Sequence, residues 1–152
     1  MKGLIQRVTQ ASVSVDGERI SEIPAGLLLL LGVERNDGLG QVDVLCKKIL
    51  SYRVFPDEQG RMNRSLRDIG GSLLVVPQFT LAADTGSGTR PGFSTAAEPA
   101  RARELYSRFV SLAREALGRD RVGEGRFGAD MQVFLINDGP VTFMLDAPAV
   151  SK

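Results

Sequence analysis

Apolar residues at the start of the chain follow the two-residue period of β-strands. Residues 4–15 are rich in β-branched side chains and alternate roughly between apolar and polar, and Asp16-Gly17 separates them from ERISEI. Alternation on both sides of an Asp-Gly pair predicts a β-hairpin. Residues 26–33, GLLLLLGV, form an almost unbroken apolar run, which is typical of a strand buried on both faces. We expect this strand to be central in the sheet.

Two later segments change to the helical period. Val42, Leu45 and Ile49 recur at helical spacing, which predicts a helix over residues 38–51. The segment EPARARELYSRFVSLAREALG has a proline near its start, a glycine at its end and apolar residues along one face. These features predict a second helix.

Shorter apolar runs predict the remaining strands: YRVF, GGSLLVVPQFTL, GADMQVFLI and VTFML. Several strands with two interposed helices indicate an α+β fold, in which the sheets curl into a barrel or sandwich and the two main helices pack outside. Parallel α/β winding fits less well, and no Gly-rich phosphate loop follows a strand.

Length and composition predict one cytoplasmic domain over residues 1–152. The chain is 43% hydrophobic, which is enough to build a core at this length. Its apolar runs are too short to span a bilayer, and MKGLIQRVTQ lacks the apolar core of a signal peptide. Cys46 is the only cysteine, so no internal disulfide forms and a reducing compartment fits. We expect this thiol to be packed and inert.

The sequence contains no histidine. This absence excludes Ser-His-Asp and Cys-His arrangements and histidine metal ligands, and it removes the usual general base at neutral pH. With a single cysteine, a multi-cysteine zinc site is excluded too. We expect neither a metal nor a cofactor, so an enzyme of this sequence needs another group to handle the proton.

The basic residues are mostly arginine. A net charge of +1 argues against a protein that holds long nucleic acid by bulk electrostatics. Among the 19 basic residues there are nevertheless 15 arginines and four lysines. Arginine suits bidentate phosphate contact and stacking, although a high genomic GC content would give the same bias.

Two strand segments, VVPQFTL and INDGPVTF, contain a proline where a strand should continue. Asp-Gly between apolar residues is a typical hairpin turn, but Pro140 has no N–H to give to the returning strand. Such breaches of local rules mark strained or functional sites. On spacing alone, Pro77 is also explained by an edge strand or bulge, and Pro140 by blunting of an edge.

The segment after Pro77 offers donors rather than an activated nucleophile. Thr80 carries the only hydroxyl in PQFT, and it is unreactive without a base, for which Lys, Asp or Glu are the candidates. Gln78 and the backbone amides of Phe79 and Thr80 are neutral donors that suit an oxyanion. Residues 82–95, AADTGSGTRPGFST, follow as a long connection, either a mobile linker or a binding loop.

The chain resembles the D-aminoacyl-tRNA deacylases from end to end. The resemblance covers IQRVTQASVSV, GLLLLLGV, the RMNRSL loop, QFTLAADT, RPGFSTAA and GADMQVFLINDGPVT. The two signature segments of that family are Ser-Gln-Phe-Thr and Asn-x-Gly-Pro-Val-Thr, which match residues 77–80 and 137–142. Pro77 stands where the family usually has Ser. A related branch also has proline there, but it changes the following Phe and the Gly-Pro segment, which this chain retains.

The resemblance implies a homodimeric hydrolase that removes D-amino acids from tRNA. In this family the Gly-Pro bond, here Gly139-Pro140, is cis and is inserted into the active site of the other subunit. Its two carbonyls then receive the amino group of the substrate, and an L side chain strikes the loop whereas a D side chain points outward. Glycine has no side chain to exclude, so glycyl-tRNA is implied as a secondary substrate. Asn137 belongs to the same signature, and Arg7 matches the residue that braces the loop.

The resemblance also implies how the reaction proceeds without histidine. The vicinal 2′-hydroxyl of the RNA activates water, while backbone amides near Phe79 form the oxyanion site. Thr80 then binds and orients rather than attacks. Arg90 and Phe93 are candidates to hold the terminal adenosine, with a mobile surface loop as the alternative. Met62 is a candidate for the pocket wall, with simple packing as its alternative.

Two other classes of function stay open at this point. One is a non-catalytic RNA-binding module, in which QFT and residues 82–95 grip a single-stranded end. The other is a general hydrolase with Thr80 as nucleophile, which requires a base that the sequence does not display.

Overall fold

The computed structural model describes residues 1–149. Its strands are β1 (Lys2–Val15), β2 (Glu18–Ile23), β3 (Gly26–Gly32), β4 (Phe55–Pro56), β5 (Met62–Arg64), β6 (Ser72–Pro77), β7 (Val122–Glu124) and β8 (Gln132–Asp146). Its α-helices are α1 (Leu39–Ser51), α2 (Leu66–Ile69) and α3 (Pro99–Leu117), and 3-10 turns cover Phe79–Ala82 and Arg119–Arg121. Within residues 1–149, none of the helices combines the length and the apolar character needed to cross a membrane.

The long strand β1 organises one side of the sheet. β8 pairs with it antiparallel along almost its whole length, β3 pairs with its first half, and β2 pairs with its second half. Asp16 and Gly17 both have positive φ, at 52° and 79°, which gives the turn between β1 and β2 the twist that a tight hairpin needs. The predicted hairpin is therefore confirmed.

Strands β6 and β7 extend the sheet in parallel and curve it back toward β2, whereas β4 and β5 pair antiparallel as a separate hairpin. β3 pairs with β6 and β6 pairs with β7, and the connections between them carry α1 and α3. Gly123 of β7 then lies against Ser21 and Ile23 of β2. The result is a nearly closed, barrel-like sheet with helices outside it, which confirms the predicted α+β class.

Strand β3 contributes to the core from both faces. Leu27, Leu29 and Leu31 belong to the cluster that packs under α1 and α3, whereas Leu28 points into the second cluster with Val76 and other residues of the barrel interior. Each fully buried leucine of this kind stabilises the fold by about 1.5–3 kcal/mol. The prediction of a central strand buried on both faces is confirmed.

Both predicted helices form. Helix α1 begins at Leu39, one residue later than predicted, and buries the predicted Val42, Leu45 and Ile49. Helix α3 ends at Leu117, followed by Gly118 with φ of 100°. The glycine ends the helix because residues with a Cβ rarely adopt that conformation.

The α-amino group of Met1 ties the connection after β3 to the core. It donates to the buried carboxylate of Asp37 at 2.8 Å, to Glu34 at 2.9 Å and to the carbonyl of Ala147 at 2.8 Å. Burial raises the pKa of Asp37, whereas its hydrogen bonds from the ammonium and from the Glu34 amide oppose that shift. These contacts hold residues 33–37 in place.

Candidate active site

The Gly-Pro step lies inside one strand rather than between two. Separate strands were predicted on either side of it, but β8 is continuous and pairs with β1 before and after the step. Val8 is opposite Asn137 and Gln6 is opposite Thr142, so four residues of β8 face Arg7 alone. The prediction of two strands was wrong because both flanks find the same long partner, β1. The four residues bulge out of the ladder.

The side chains of Arg7 and Asn137 hold this bulge through hydrogen bonds to main-chain carbonyls. Arg7 Nε donates to the carbonyl of Asp138 at 3.1 Å and lies 3.1 Å from its carboxylate, while Nη1 donates to the carbonyl of Val54 at 2.6 Å. The Asn137 amide donates to the carbonyls of Arg7 at 2.9 Å and Val141 at 3.2 Å. The side chains of Arg7 and Asn137 therefore fix the start of the bulge to β1, and Asn137 also holds its other end at Val141.

The tip of the bulge is exposed main chain. Gly139 and Pro140 both face solvent, and the peptide bond between them is cis. A Cβ on Gly139 would come within 2.6 Å of Asn137 Oδ1. Because Asn137 is held by two carbonyls, the position has little room for any residue other than glycine.

Pro77 ends a central strand. It pairs with Leu31 at the last position of β6, which lies between β3 and β7, and it is buried. The interpretations of Pro77 as part of an edge strand or a bulge are therefore wrong. The proline is tolerated because the pairing of β6 with β7 stops two residues earlier, at Val75.

The predicted catalytic segment follows Pro77 directly as a 3-10 turn. Gln78 precedes the turn, and its side-chain amide donates to Thr80 Oγ1 at 2.6 Å. Within residues 1–149 no Lys, Asp or Glu side chain hydrogen-bonds to Thr80. The amides of Phe79 and Thr80 belong to the first turn, where N–H groups have no partner within the helix.

An aromatic pair joins this turn to residues 82–95. The rings of Phe79 and Phe93 lie 5.5 Å apart between centroids, and both side chains are about half exposed, at 59% and 46%. They line a groove of about 710 Å³ together with Arg35, Arg101 and the start of α3. The two arginines were not predicted as site residues, because they come from elements far apart in sequence and share no motif.

Met62 does not line the groove beside Phe79. It lies in the β4–β5 hairpin and is 48% exposed, so it is not ordinary core packing. The hairpin follows Val54, whose carbonyl holds Arg7. The β4–β5 hairpin that carries Met62 therefore begins next to a residue that holds Arg7.

The predicted residues form two groups within one chain. Gln78, Phe79, Thr80 and Phe93 come together at the 3-10 turn, whereas Arg7, Asn137, Gly139 and Pro140 come together at the bulge. The groove beside Phe79 is lined by residues between Arg35 and Arg101, none of which belongs to the bulge.

The single cysteine lies outside both groups. Cys46 is buried in α1 at 4% exposure, and burial raises the pKa of its thiol to about 11. At neutral pH the thiol is protonated and a poor nucleophile. Within residues 1–149, His, Cys, Asp and Glu side chains form no group of three or more that is suited to hold a metal ion.

Comparisons with known proteins show which family the chain resembles. The profile of the family described as D-Tyr-tRNA(Tyr) deacylase matches residues 4–146. A D-aminoacyl-tRNA deacylase of Marinobacter nauticus is 70% identical over 147 residues, which cover 97% of this chain and 94% of that protein. One from Stutzerimonas stutzeri is 59% identical over 147 residues, covering 97% of this chain and 100% of that protein.

Two solved structures share the fold. One titled c-Myc DNA Unwinding Element Binding Protein has a TM-score of 0.94 and 41% identity, covering 98% of this chain and 100% of that one. Another, titled as a structural analysis of a probable eukaryotic D-amino acid tRNA deacylase, has a TM-score of 0.84 at 18% identity, with 96% and 98% covered. The match over residues 4–146 and the identity to the bacterial relatives show that the chain belongs to the D-aminoacyl-tRNA deacylase family.

Proposed function

We propose that this protein hydrolyses the ester bond of D-aminoacyl-tRNA and releases free tRNA and the D-amino acid. It is a hydrolase acting on carboxylic ester bonds, with residues 1–152 as one deacylase domain in the cytoplasm. The observation that carries the proposal is the exposed main-chain bulge at Gly139 and Pro140, which Arg7 and Asn137 hold in place.

A homodimer completes the site in this proposal. Strand β8 has large apolar side chains on the surface, namely Phe134, Ile136, Phe143 and Met144. Within residues 1–149, β8 pairs with β1 alone, so its other edge is unpaired. An apolar surface on an unpaired edge favours burial against another chain. The Gly139-Pro140 tip of the same chain does not line the groove beside Phe79. In this proposal a second copy covers β8 and supplies that tip from its own chain.

In this proposal the rigid main chain of Gly139 and Pro140 discriminates between D and L substrates. The substrate ammonium donates to the carbonyls of Gly139 and Pro140 of one subunit, and the ester carbonyl accepts from the amides of Phe79 and Thr80 of the other. With both groups fixed, an L side chain meets the loop and a D side chain points away from it. Glycyl-tRNA passes the same test because glycine has no side chain.

The hydrogen bond at Thr80 favours a binding role for this residue. Its hydroxyl oxygen accepts from the Gln78 amide at 2.6 Å, and an amide is no base. The 2′-hydroxyl of the terminal ribose is then the group that assists the attacking water, and the protein supplies position and an oxyanion site. No cofactor or metal takes part in this scheme.

The terminal adenosine lies against the aromatic pair in this proposal. Phe79 and Phe93 present exposed rings beside the 3-10 turn, and bases stack on such rings. Arg90 is exposed on the same loop and offers a guanidinium for the same purpose. Met62 is exposed on the β4–β5 hairpin and would form a pocket wall on the side of the amino acid.

The experiment compares deacylation of D- and L-tyrosyl-tRNA, and of glycyl-tRNA, by the purified protein. We expect the D ester to be cleaved much faster than the L ester. Equal rates on the two enantiomers would refute the proposed filter. Equally tight binding of charged and uncharged tRNA without ester cleavage would identify a non-catalytic RNA-binding module instead.

A further inference from the structure

The groove beside Phe79 has a basic rim that the proposed reaction does not use. Its lining includes Arg35 from the connection after β3 and Arg101 from the first turn of α3. Its volume, about 710 Å³, lies within the range of about 300–1,000 Å³ typical of ligand sites. The groove extends from the aromatic pair to these two arginines, which makes it continuous with the candidate active site.

The main chain at Arg35 is fixed by contacts with residues 95 and 96 and by its neighbours. Its amide donates to the carbonyl of Thr95 at 2.9 Å, and Glu34 and Ala96 form a β-bridge next to it. The same connection is tied to the core through Met1 and Asp37. Within residues 1–149 the Arg35 guanidinium forms no salt bridge, and the residue is exposed.

Arg101 keeps donors available to a ligand. Its Nη1 pairs with Glu104 at 3.0 Å, with side-chain exposures of 41% and 64%, and such an exposed pair is weak. A guanidinium has five N–H groups, so one contact leaves others to bind an anion. Glu98 also lines the groove and carries the opposite charge, so attraction of an anion there depends on the two arginines together.

We propose that Arg35 and Arg101 bind the backbone phosphates of the unpaired nucleotides that precede the terminal adenosine of tRNA. The inference rests on the proposed function, which places the adenosine at Phe79 and Phe93. The preceding nucleotides must leave that position along a surface, and the arginine rim is continuous with it. Guanidinium groups suit phosphate oxygens because their N–H groups match them in pairs. The two arginines therefore increase affinity for the RNA end without taking part in ester cleavage.

The test measures binding of uncharged tRNA and of the same tRNA without its three unpaired 3′-terminal nucleotides. Arg35→Gln and Arg101→Gln are compared with Arg108→Gln, an exposed arginine on the same helix that does not line the groove. For intact tRNA we expect each groove variant to bind about tenfold more weakly and to lose about one unit of salt dependence. For the truncated tRNA we expect no difference from the parent protein.

A second measurement separates this inference from the proposed function. The kcat/KM for D-tyrosyl-tRNA should fall about tenfold in the groove variants, whereas that for D-tyrosyl-adenosine, which lacks the phosphates, should stay unchanged. The inference would be overturned if the groove variants lost as much affinity for the truncated tRNA as for intact tRNA, or as much kcat/KM on D-tyrosyl-adenosine as on D-tyrosyl-tRNA. Affinities and kcat/KM values equal to those of Arg108→Gln would overturn it as well. None of these results would affect the proposed function. Absence of cleavage by the parent protein would overturn the proposed function, and the binding measurements would still decide the role of the arginines.

Discussion

Replacing Arg7 by lysine tests whether the bulge in β8 must be held rigidly. The Arg7 side chain is 14% exposed and bridges two parts of the chain, with Nη1 on the carbonyl of Val54 at 2.6 Å and Nε on the carbonyl of Asp138 at 3.1 Å. Lysine keeps the charge, but its single ammonium cannot occupy both donor positions. We expect the bulge to lose one of its two anchors.

The size of the effect follows from these contacts. A hydrogen bond from a charged donor contributes about 1.5–3 kcal/mol, so Arg7→Lys should lower the free energy of unfolding by about 2 kcal/mol. For a protein of this size that corresponds to a Tm lower by about 4–8 °C. The ion pair with the Asp138 carboxylate adds little, because that side chain is 51% exposed and surface pairs contribute about 0–1 kcal/mol.

Asp138→Asn is the matched control, because it removes the carboxylate and keeps the main-chain carbonyl that Arg7 binds. Urea denaturation measures the free energy of unfolding, and deacylation of D- and L-tyrosyl-tRNA measures the selectivity. We expect Arg7→Lys to lower both the stability and the D/L ratio of kcat/KM, and Asp138→Asn to change neither by much. An Arg7→Lys protein that loses stability but keeps the D/L ratio would refute a role of Arg7 in the filter.

Three further predictions concern single positions. Thr80→Ala removes one hydrogen bond to Gln78 and should lower kcat by less than about tenfold, whereas a loss of about 10³-fold or more would identify Thr80 as the nucleophile. Gly139→Ala places a Cβ 2.6 Å from Asn137 Oδ1, so the D/L ratio of kcat/KM should fall by about tenfold or more, and an unchanged ratio would contradict the filter. Burial raises the pKa of Cys46 from 9.0 to about 11. The unfolded chain therefore loses the thiol proton at lower pH than the folded protein does, so the stability that the protonated thiol contributes is complete below pH 9 and is lost as the pH rises toward 11. Between pH 9 and 11 the free energy of unfolding, measured by urea denaturation, should fall by about 2–3 kcal/mol more for the parent protein than for Cys46→Ala. Parallel plots of this free energy against pH for the two proteins would contradict the prediction.

The fold shows where local patterns are sufficient. The apolar run of β3, the turn at Asp16 and Gly17 and the two main helices all follow from spacing and turn chemistry, and all are present. Their signals are local, because burial on both faces, positive φ and helical period are properties of a few adjacent residues. The prediction at INDGPVTF failed for the same reason, since no local rule shows that both flanks pair with one strand.

The sequence by itself determined the first hairpin, the buried strand β3, the two main helices, the absence of histidine and the two signature segments around Thr80 and Pro140. The tertiary structure alone decided that one residue of β1, Arg7, faces the whole bulge and binds Val54 as well. It also placed Phe93 on Phe79 and brought two distant arginines into one groove. These placements depend on which strands become neighbours and in what register, and that is set by burial of the whole core rather than by spacing along the chain.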